Sequence, residues 1–175
     1  YAVKPDNVKP MITRYSSIRD KNLAKSFFKD ALHGAAAYDR IAGYFSSSII
    51  ELAGEDLDSV TGQVRIVCNS HLQVDDVKFI KTYPKAIKDE WCEAQNPDEL
   101  AKIPERLQTL YRFLKTGKIA VKVIPDEVFG LIHGKAGVIT QGNGAKIAFL
   151  GSMNETQAGW SGNYELVWVD DDREG

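Results

Sequence analysis

The chain has 175 residues, of which 43% are hydrophobic and 26% charged, with a formal net charge of −2. These are the values of an ordinary globular domain with a core, and the near-zero charge excludes strong non-specific nucleic-acid binding by the whole surface. No apolar run approaches the roughly 18–20 residues of a membrane helix. The start, YAVKPDNVKP, lacks the apolar segment of a signal peptide. We therefore expect a cytoplasmic protein.

The length is that of a single domain, and we expect one domain over 1–175. The start has no initiator Met, and the end, DDDREG, directly follows a strand-like run. Both features favour a domain excised from a longer protein.

Charge is unevenly distributed along the chain. Residues 1–50 hold eight Lys or Arg against four Asp, an excess of four positive charges. Such a run is usually a solvated face, and a local basic face is the alternative interpretation.

Cys68 and Cys92 lack the close Cys/His spacing of a zinc site, so we expect reduced, buried thiols. No metal site and no other cofactor is predicted.

The hydrophobic period changes along the chain, from alternating strands and helices to strands joined by tight turns. Strands are predicted at 11–15, 38–45, 63–69, 118–124, 129–140, 145–150 and 164–169. Helices are predicted at 22–32 with Asp20 as N-cap, after the serines 46–48, and at 74–83, 85–94 and 97–114, with a break or restart at Pro104.

Two local signals define the sheet further. The near-continuous apolar run QVRIVCN predicts an inner strand covered on both faces. The tetrapeptide QGNG at 141–144 indicates a hairpin between two of the later strands. The predicted fold is therefore α/β, a mixed β-sheet flanked by helices on both faces.

His133 and Lys135 lie two residues apart in a predicted strand. Alternation places their side chains on one face, roughly 6–7 Å apart. A lysine in an inner strand is rarely left without a partner, which indicates a functional pair. A surface strand whose polar face holds His and Lys explains the same pattern and, taken alone, explains it more simply.

The segment GSMNET, 151–156, is predicted as a sharp turn into a short helix. Ser152 and Glu155 match a capping box, S-x-x-E. The same helix N-terminus would present backbone N–H groups to an anion, with Asn154 as a side-chain donor. Downstream, Glu165 shares the apolar face of Val167 and Val169, where a carboxylate needs a partner. His133 is the natural candidate.

These residues resemble the phospholipase D superfamily, in its branch of nucleases with a single H-x-K motif. The matching residues are His133-Gly134-Lys135, then Gly151-Ser152-Met153-Asn154, then Glu165 in the downstream acid position. IAGYFSSSII and RIVCNS also resemble, more weakly, the members associated with bacterial helicases. The fuller family motif has Asp at position 140, where this chain has Thr140, and we interpret Glu165 as its replacement.

The resemblance implies an α/β/α sandwich and a two-step, metal-independent phosphodiester reaction. His133, held by Glu165, would attack phosphorus and form a phosphohistidine that water then releases. Lys135 and Asn154 would bind the non-bridging oxygens. Ser152 is a cap from its local pattern, and a phosphate ligand if the resemblance holds.

A second histidine is needed as general acid. Family members of this size obtain it from a twofold partner, so the resemblance implies a homodimer with the active site at the interface. His33 fits a helix end better than a catalyst. Further candidates for lining the cleft are Tyr44, Ser46, Asn69, Ser70, His71 and Trp160, the last as a base-stacking, interface or core residue.

Three functions follow from this pattern. The leading hypothesis is a DNA phosphodiesterase, the nuclease module of a bacterial helicase or restriction-type protein. A catalytically weak or inactive module for nucleic-acid binding or dimerisation is the alternative, favoured by Thr140 and the near-neutral charge. A phospholipase is third, because no amphipathic segment indicates a membrane surface.

Overall fold

The structure, a computed structural model, describes residues 11–69, 105–124 and 133–171. Within these residues seven strands form one sheet. They are β1 Met11–Ser16, β2 Ala37–Ile41, β3 Val64–Asn69, β4 Ile119–Ile124, β5 Ala136–Thr140, β6 Lys146–Gly151 and β7 Leu166–Asp171. Their order across the sheet is β1-β7-β6-β5-β2-β3-β4.

The helical segments follow the apolar periodicity only in part. They are α1 Ser17–Asp20, a π-helical turn Ala24–Phe28 that continues into α2 Lys29–Leu32, α3 Ser48–Ser59, α4 Glu105–Thr116 and a second π-helical turn Ala158–Gly162. Asp20 is not an N-cap. It ends α1, and its carboxylate accepts a hydrogen bond from the Ser16 N–H at 2.7 Å. Asn22 caps the next segment instead, because its Oδ1 accepts from the Lys25 N–H at 3.3 Å.

The later helices were predicted less completely. The described part of α4 begins at Glu105, so the predicted break or restart at Pro104 lies outside the described residues. The predicted helices 74–83 and 85–94, and residues 97–104, lie outside the described residues.

The sheet is mixed, as predicted. β2, β3 and β4 are parallel to one another, whereas β5, β6, β7 and β1 pair antiparallel in succession. The QGNG hairpin is confirmed: Gln141 and Gly144 close it with a hydrogen bond of 2.9 Å, and Gly144 has a φ of 90°, which glycine adopts without strain. This topology brings the starts of β5 and β7 to the same edge as the ends of the other five strands.

The core lies on one face of the sheet, where inward side chains alternate with outward ones along each strand. Tyr38, Ile66 and Phe149 of the sheet pack with Phe28 and Phe113 of the helices. Each such side chain stabilises the fold by about 1.5–3 kcal/mol through removal from water. The described helices supply the layer on this face.

The opposite face carries the outward residues. Ile12, Ile41, Leu150 and Trp168 are exposed on it. The prediction that β3 is covered on both faces is wrong for its outward residue Arg65, which is exposed and paired with Asp39 of β2. The alternation along β3 is not evident in the sequence, because its one outward charge lies between two apolar residues, Val64 and Ile66.

Candidate active site

One edge of the sheet collects most of the predicted site. His133 and Lys135 precede β5, Ser152 and Asn154 follow β6, and Glu165 precedes β7. Strand register brings them together, because Ile41 of β2 pairs with Ala136, Ala136 with Leu150, and Gly151 with Val167. Residues far apart in sequence thus share one surface. We refer to it as the site edge.

His133 and Lys135 are neighbours at the site edge, but they are not in a strand. The predicted strand 129–140 begins only at Ala136, and 129–132 lie outside the described residues. His133 is exposed, and the Lys135 ammonium donates a hydrogen bond to the His133 carbonyl at 2.9 Å. The Lys135 carbonyl accepts from the Gly151 N–H at 2.9 Å, which joins the H-x-K segment to the G-S-x-N segment.

Ser152 and Glu165 are hydrogen-bonded beside this junction. The Ser152 hydroxyl donates to the Glu165 carboxylate and accepts from the Leu166 N–H at 3.1 Å. Glu165 is 6% exposed on the face of Val167 and Val169, as the alternation predicts. Its N–H donates to the Ser17 hydroxyl at 2.8 Å. Ser152 therefore supports the carboxylate in this structure.

The predicted pair of Glu165 with His133 is not formed between these described residues. The Glu165 carboxylate accepts from Ser152 and, at 3.5 Å, from the Asn163 side-chain amide. Both residues lie at the site edge, yet the histidine ring makes no hydrogen bond to any described residue. Glu165 is satisfied by its nearer neighbours along β6 and β7.

The capping box prediction is wrong. Glu155 does not return to the backbone of Ser152; its carboxylate lies in the core, where it accepts from Arg40 Nε at 2.9 Å and from the Tyr38 hydroxyl at 2.7 Å. The next helical segment begins only at Ala158, so no helix N-terminus stands at Ser152. The long-range charge of Arg40 outcompetes the local cap.

Asn154 is oriented by the loop that follows β2. Its Oδ1 accepts the Tyr44 N–H at 3.0 Å, which leaves the Nδ2 group without a hydrogen bond to the described residues. An N–H can only be accepted by the amide oxygen, so this bond fixes which end of the amide is free to donate. Asn154 is thus equipped to bind an anionic oxygen.

Thr140 lies at the far edge of the sheet. It pairs with Ala37 at the start of β2 and with Lys146 at the start of β6. Five residues of extended chain separate it from Lys135, about 16 Å at a rise of about 3.3 Å per residue. An aspartate at this position would not reach the site edge, so the interpretation of Glu165 as its replacement is wrong.

The other cleft candidates divide between the surface and the interior. Tyr44 is 46% exposed and lies at the site edge with the buried Ser46 and with Asn69 at the end of β3. Ser70 and His71 lie outside the described residues. Trp160 is 0% exposed and stacks on Phe28 at 3.9 Å, so it is a core residue and not a base-stacking one.

His33 lies at the opposite edge of the sheet, at the end of α2 and before β2. Its N–H donates to the Lys29 carbonyl at 3.2 Å, which confirms its place at a helix end. A histidine there cannot serve the site edge of the same chain.

Sequence reasoning missed Arg40 and Tyr164. Arg40 shares the inward face of β2 with Tyr38, and alternation in YDRI gives that signal, because an inward arginine requires an acidic partner. Tyr164 is 64% exposed just before Glu165. The predicted strand 164–169 includes it, and no local pattern shows that β7 begins two residues later.

Burial is the main cause of the raised pKa of two core groups, Cys68 and Tyr38. Burial raises the pKa of the Cys68 thiol to about 12, and burial followed by the charge of Glu155 raises that of the Tyr38 phenol well above its usual range.

The cations of the first fifty residues do not share one face: Arg40 is buried, Arg14 lies over Trp168 on the outer face, and Lys25 and Lys29 are exposed on the helical side.

Two classes of feature are absent from the described part of the chain. Its His, Cys, Asp and Glu residues form no group of three or more arranged to hold a metal ion. Each of its helices is too short or too polar to span a bilayer.

Known proteins share this fold. NucT from Helicobacter pylori superposes with a TM-score of 0.54 at 15% identity, over 94% of this chain and 87% of its own. Nuc from Salmonella typhimurium, a phospholipase D family member, gives a TM-score of 0.51 at 15% identity, over 93% of this chain and 84% of its own. A mutant of the yeast tyrosyl-DNA phosphodiesterase gives 0.56 at 13% identity, over 91% of this chain but only 32% of that enzyme.

At such identities the likeness establishes the fold. No curated protein matches the chain. The family model described as cardiolipin synthase, PLD-like domain, matches residues 29–175, well over half of the chain. The chain therefore belongs to this family of PLD-like domains, within the phospholipase D superfamily.

Proposed function

We propose that the chain is a metal-independent phosphodiesterase that cleaves DNA through a covalent phosphohistidine. The observation that carries the proposal is the site edge, where the strand register gathers a histidine, a lysine, an oriented asparagine amide and a buried carboxylate. In the motif that this chain resembles, these groups have the roles of nucleophile, oxyanion ligands and supporting acid. The proposed context is a nuclease module of a bacterial helicase or restriction-type protein.

The reaction has two displacements at phosphorus. His133 attacks first, so that a nitrogen–phosphorus bond forms and one phosphorus–oxygen bond breaks. A general acid protonates the leaving oxygen. Water then attacks the phosphohistidine, gives its proton to the same group, and restores free His133.

Lys135 and Asn154 stabilise the negative charge that develops on the non-bridging oxygens. The Lys135 ammonium lies against the His133 backbone, so its charge is next to the attacking group. The Tyr44 N–H binds Oδ1 of Asn154 and so orients the amide, whose Nδ2 group is the donor to the phosphate. Removing one such preorganised donor typically costs about 10²–10³-fold in kcat.

The general acid comes from His133 of a second copy in this proposal. His33 lies at the opposite edge of the sheet, and His71 lies outside the described residues. The exposure of His133 allows a twofold partner to approach it. The active site is then an interface, and the functional unit is a homodimer.

Two exposed tyrosines support DNA as the substrate. Tyr44 follows β2 and Tyr164 precedes β7, three strand spacings away, or about 14 Å at about 4.8 Å per spacing. His133 and Lys135 precede β5, between them. Bases on either side of the scissile phosphate can stack on such side chains.

The test is cleavage of supercoiled plasmid DNA in the presence of EDTA. We expect wild-type protein to nick the plasmid, and His133→Ala to lower the rate by about 10³-fold or more, since a nucleophile is lost. His33→Ala is the matched control and should cleave like the wild type. Equal nicking by wild type and His133→Ala would contradict the proposal.

One observation favours a second function, a non-catalytic module that binds DNA or forms dimers. Among the described residues the His133 ring has no carboxylate partner, whereas an activated histidine normally has one. This alternative predicts retention of DNA in a gel shift without nicking in EDTA. Turnover of phosphatidylcholine vesicles in place of DNA would instead assign the site to lipid phosphodiesters.

A further inference from the structure

Beneath the loop that carries Asn154 lies an ion pair with both side chains about 1% exposed. Arg40 of β2 donates from Nε to Glu155 Oε2 at 2.9 Å and from Nη2 to the Met153 carbonyl. The Tyr38 hydroxyl and Trp160 Nε1 donate to the same carboxylate at 2.7 and 3.4 Å. Arg40 thus bonds to the turn 153–155 on both sides of Asn154, through the Met153 carbonyl and the Glu155 carboxylate.

The backbone repeats this connection. The Glu155 N–H donates to the Tyr44 carbonyl, and the Ser46 N–H donates to the Glu155 carbonyl, both at 3.0 Å. The Tyr44 N–H in turn orients the Asn154 side chain. Glu155 is therefore the point at which the motif loop is attached to the end of β2.

Stability alone does not account for a charged pair in this position. Arg40 Nη1 is buried and has no hydrogen-bond partner. Buried ion pairs are costly to desolvate, and their replacement by neutral residues of similar size is often neutral or stabilising. A pair that is expensive and incompletely satisfied, yet bonded around a motif residue, indicates a requirement for one loop geometry.

We propose that Arg40 and Glu155 are positioning residues that hold Asn154 in the geometry needed to stabilise charge on the reacting phosphate. This role rests on the proposed phosphodiesterase function. Neither side chain touches the substrate, and both act through the turn 153–155. A misplacement of about 1 Å at a reacting centre is enough to lower the rate by about 10²-fold.

The test replaces both charges together in Arg40→Met/Glu155→Gln. The glutamine carbonyl can still accept from the Tyr38 hydroxyl, so we expect the melting temperature to stay within a few degrees of the wild type. We expect kcat on plasmid DNA to fall about 10²-fold with little change in KM, because the loss is in the transition state. Unchanged kcat in a folded double variant would overturn the inference.

Two further variants keep the test decisive. Tyr38→Phe removes a single hydrogen bond to Glu155 and should fold even where the double variant does not; we expect a kcat loss of about tenfold. Asp39→Asn/Arg65→Met removes the exposed ion pair between the same region of β2 and β3, on the outer face. This control should leave both the melting temperature and kcat unchanged.

Hydrogen exchange separates this inference from the proposed function. If wild-type protein cleaves nothing, the proposed function fails, but the loop can still be measured. We expect faster exchange at the Ser46 and Glu155 amides in Tyr38→Phe and in the double variant, and no change in the outer-face control. Wild-type exchange in both variants would overturn the positioning role, whatever the activity.

Discussion

Ser152 is the site-edge residue whose role the structure changes most. From the sequence it is a helix cap or a phosphate ligand. Its hydroxyl instead donates to the buried Glu165 carboxylate while it accepts the Leu166 N–H, which leaves little capacity for a phosphate. Its contribution is therefore to keep a buried carboxylate in place.

Ser152→Ala tests this assignment. The substitution removes one hydrogen bond from a buried carboxylate and leaves the Leu166 N–H without its partner, so the free energy of unfolding should fall by about 1–3 kcal/mol in urea titrations. Ser161→Ala, at an exposed hydroxyl that donates only to the Gln157 carbonyl, is the control. A rise in KM with unchanged stability would show instead that Ser152 is a phosphate ligand.

Local sequence patterns located the motif residues but assigned some of their partners wrongly. H-x-K and G-S-x-N place His133, Lys135 and Asn154 at one edge because each follows or precedes a recognisable strand. Glu155 was misinterpreted because S-x-x-E is a valid local cap, and only the fold brings in Arg40, 115 positions away. The sequence predicts His133 as the partner of Glu165. The observed partner Ser152 is brought to Glu165 by the pairing of β6 with β7, which no local pattern shows.

At the scale of elements, the junction of β6 and β7 positions the motif. Gly151 ends β6 and pairs with Val167 of β7. A Cβ on Gly151 would lie 2.1 Å from the Leu166 carbonyl oxygen, a backbone atom that cannot move without breaking the pairing. The glycine of G-S-x-N is thus required by packing, independently of chemistry.

Gly151→Ala should therefore separate the two strands. We expect a loss of about 1–3 kcal/mol or more in the free energy of unfolding, as for other overpacked positions. Gly134→Ala is matched, because its Cβ would meet only Ile41 Cγ2 at 4.0 Å, and it should change stability by less than about 0.5 kcal/mol. Equal stability of the two variants would show that the strand junction is not tightly packed.

The elements themselves were largely predictable, whereas their ends were not. Two-residue alternation and the QGNG turn identify β5 and β6 as a hairpin, and the register follows from the turn. The predicted strand 38–45 ends at Ile41, because the next residues turn to pair with Glu155. Ends of this kind depend on neighbours that are distant in sequence.

At the scale of the whole molecule, the proposed mechanism requires two copies of the chain. If each active site uses His133 from both subunits, then a mixed dimer with His133→Ala is inactive. After subunit exchange in an equal mixture of wild type and His133→Ala, about a quarter of the dimers contain two wild-type subunits. Activity should therefore fall to about a quarter of that of the same total amount of wild-type protein. A fall only to about half would show that each subunit works alone.

His133 is the proposed nucleophile, and its covalent intermediate can be observed directly. Wild-type protein is mixed with end-labelled oligonucleotide in EDTA, quenched in alkali, digested and analysed by mass spectrometry. We expect a nucleotide linked through phosphorus to His133, released by acid and absent from His133→Ala. Cleavage with no adduct on His133, or with the adduct on another residue, would contradict this mechanism.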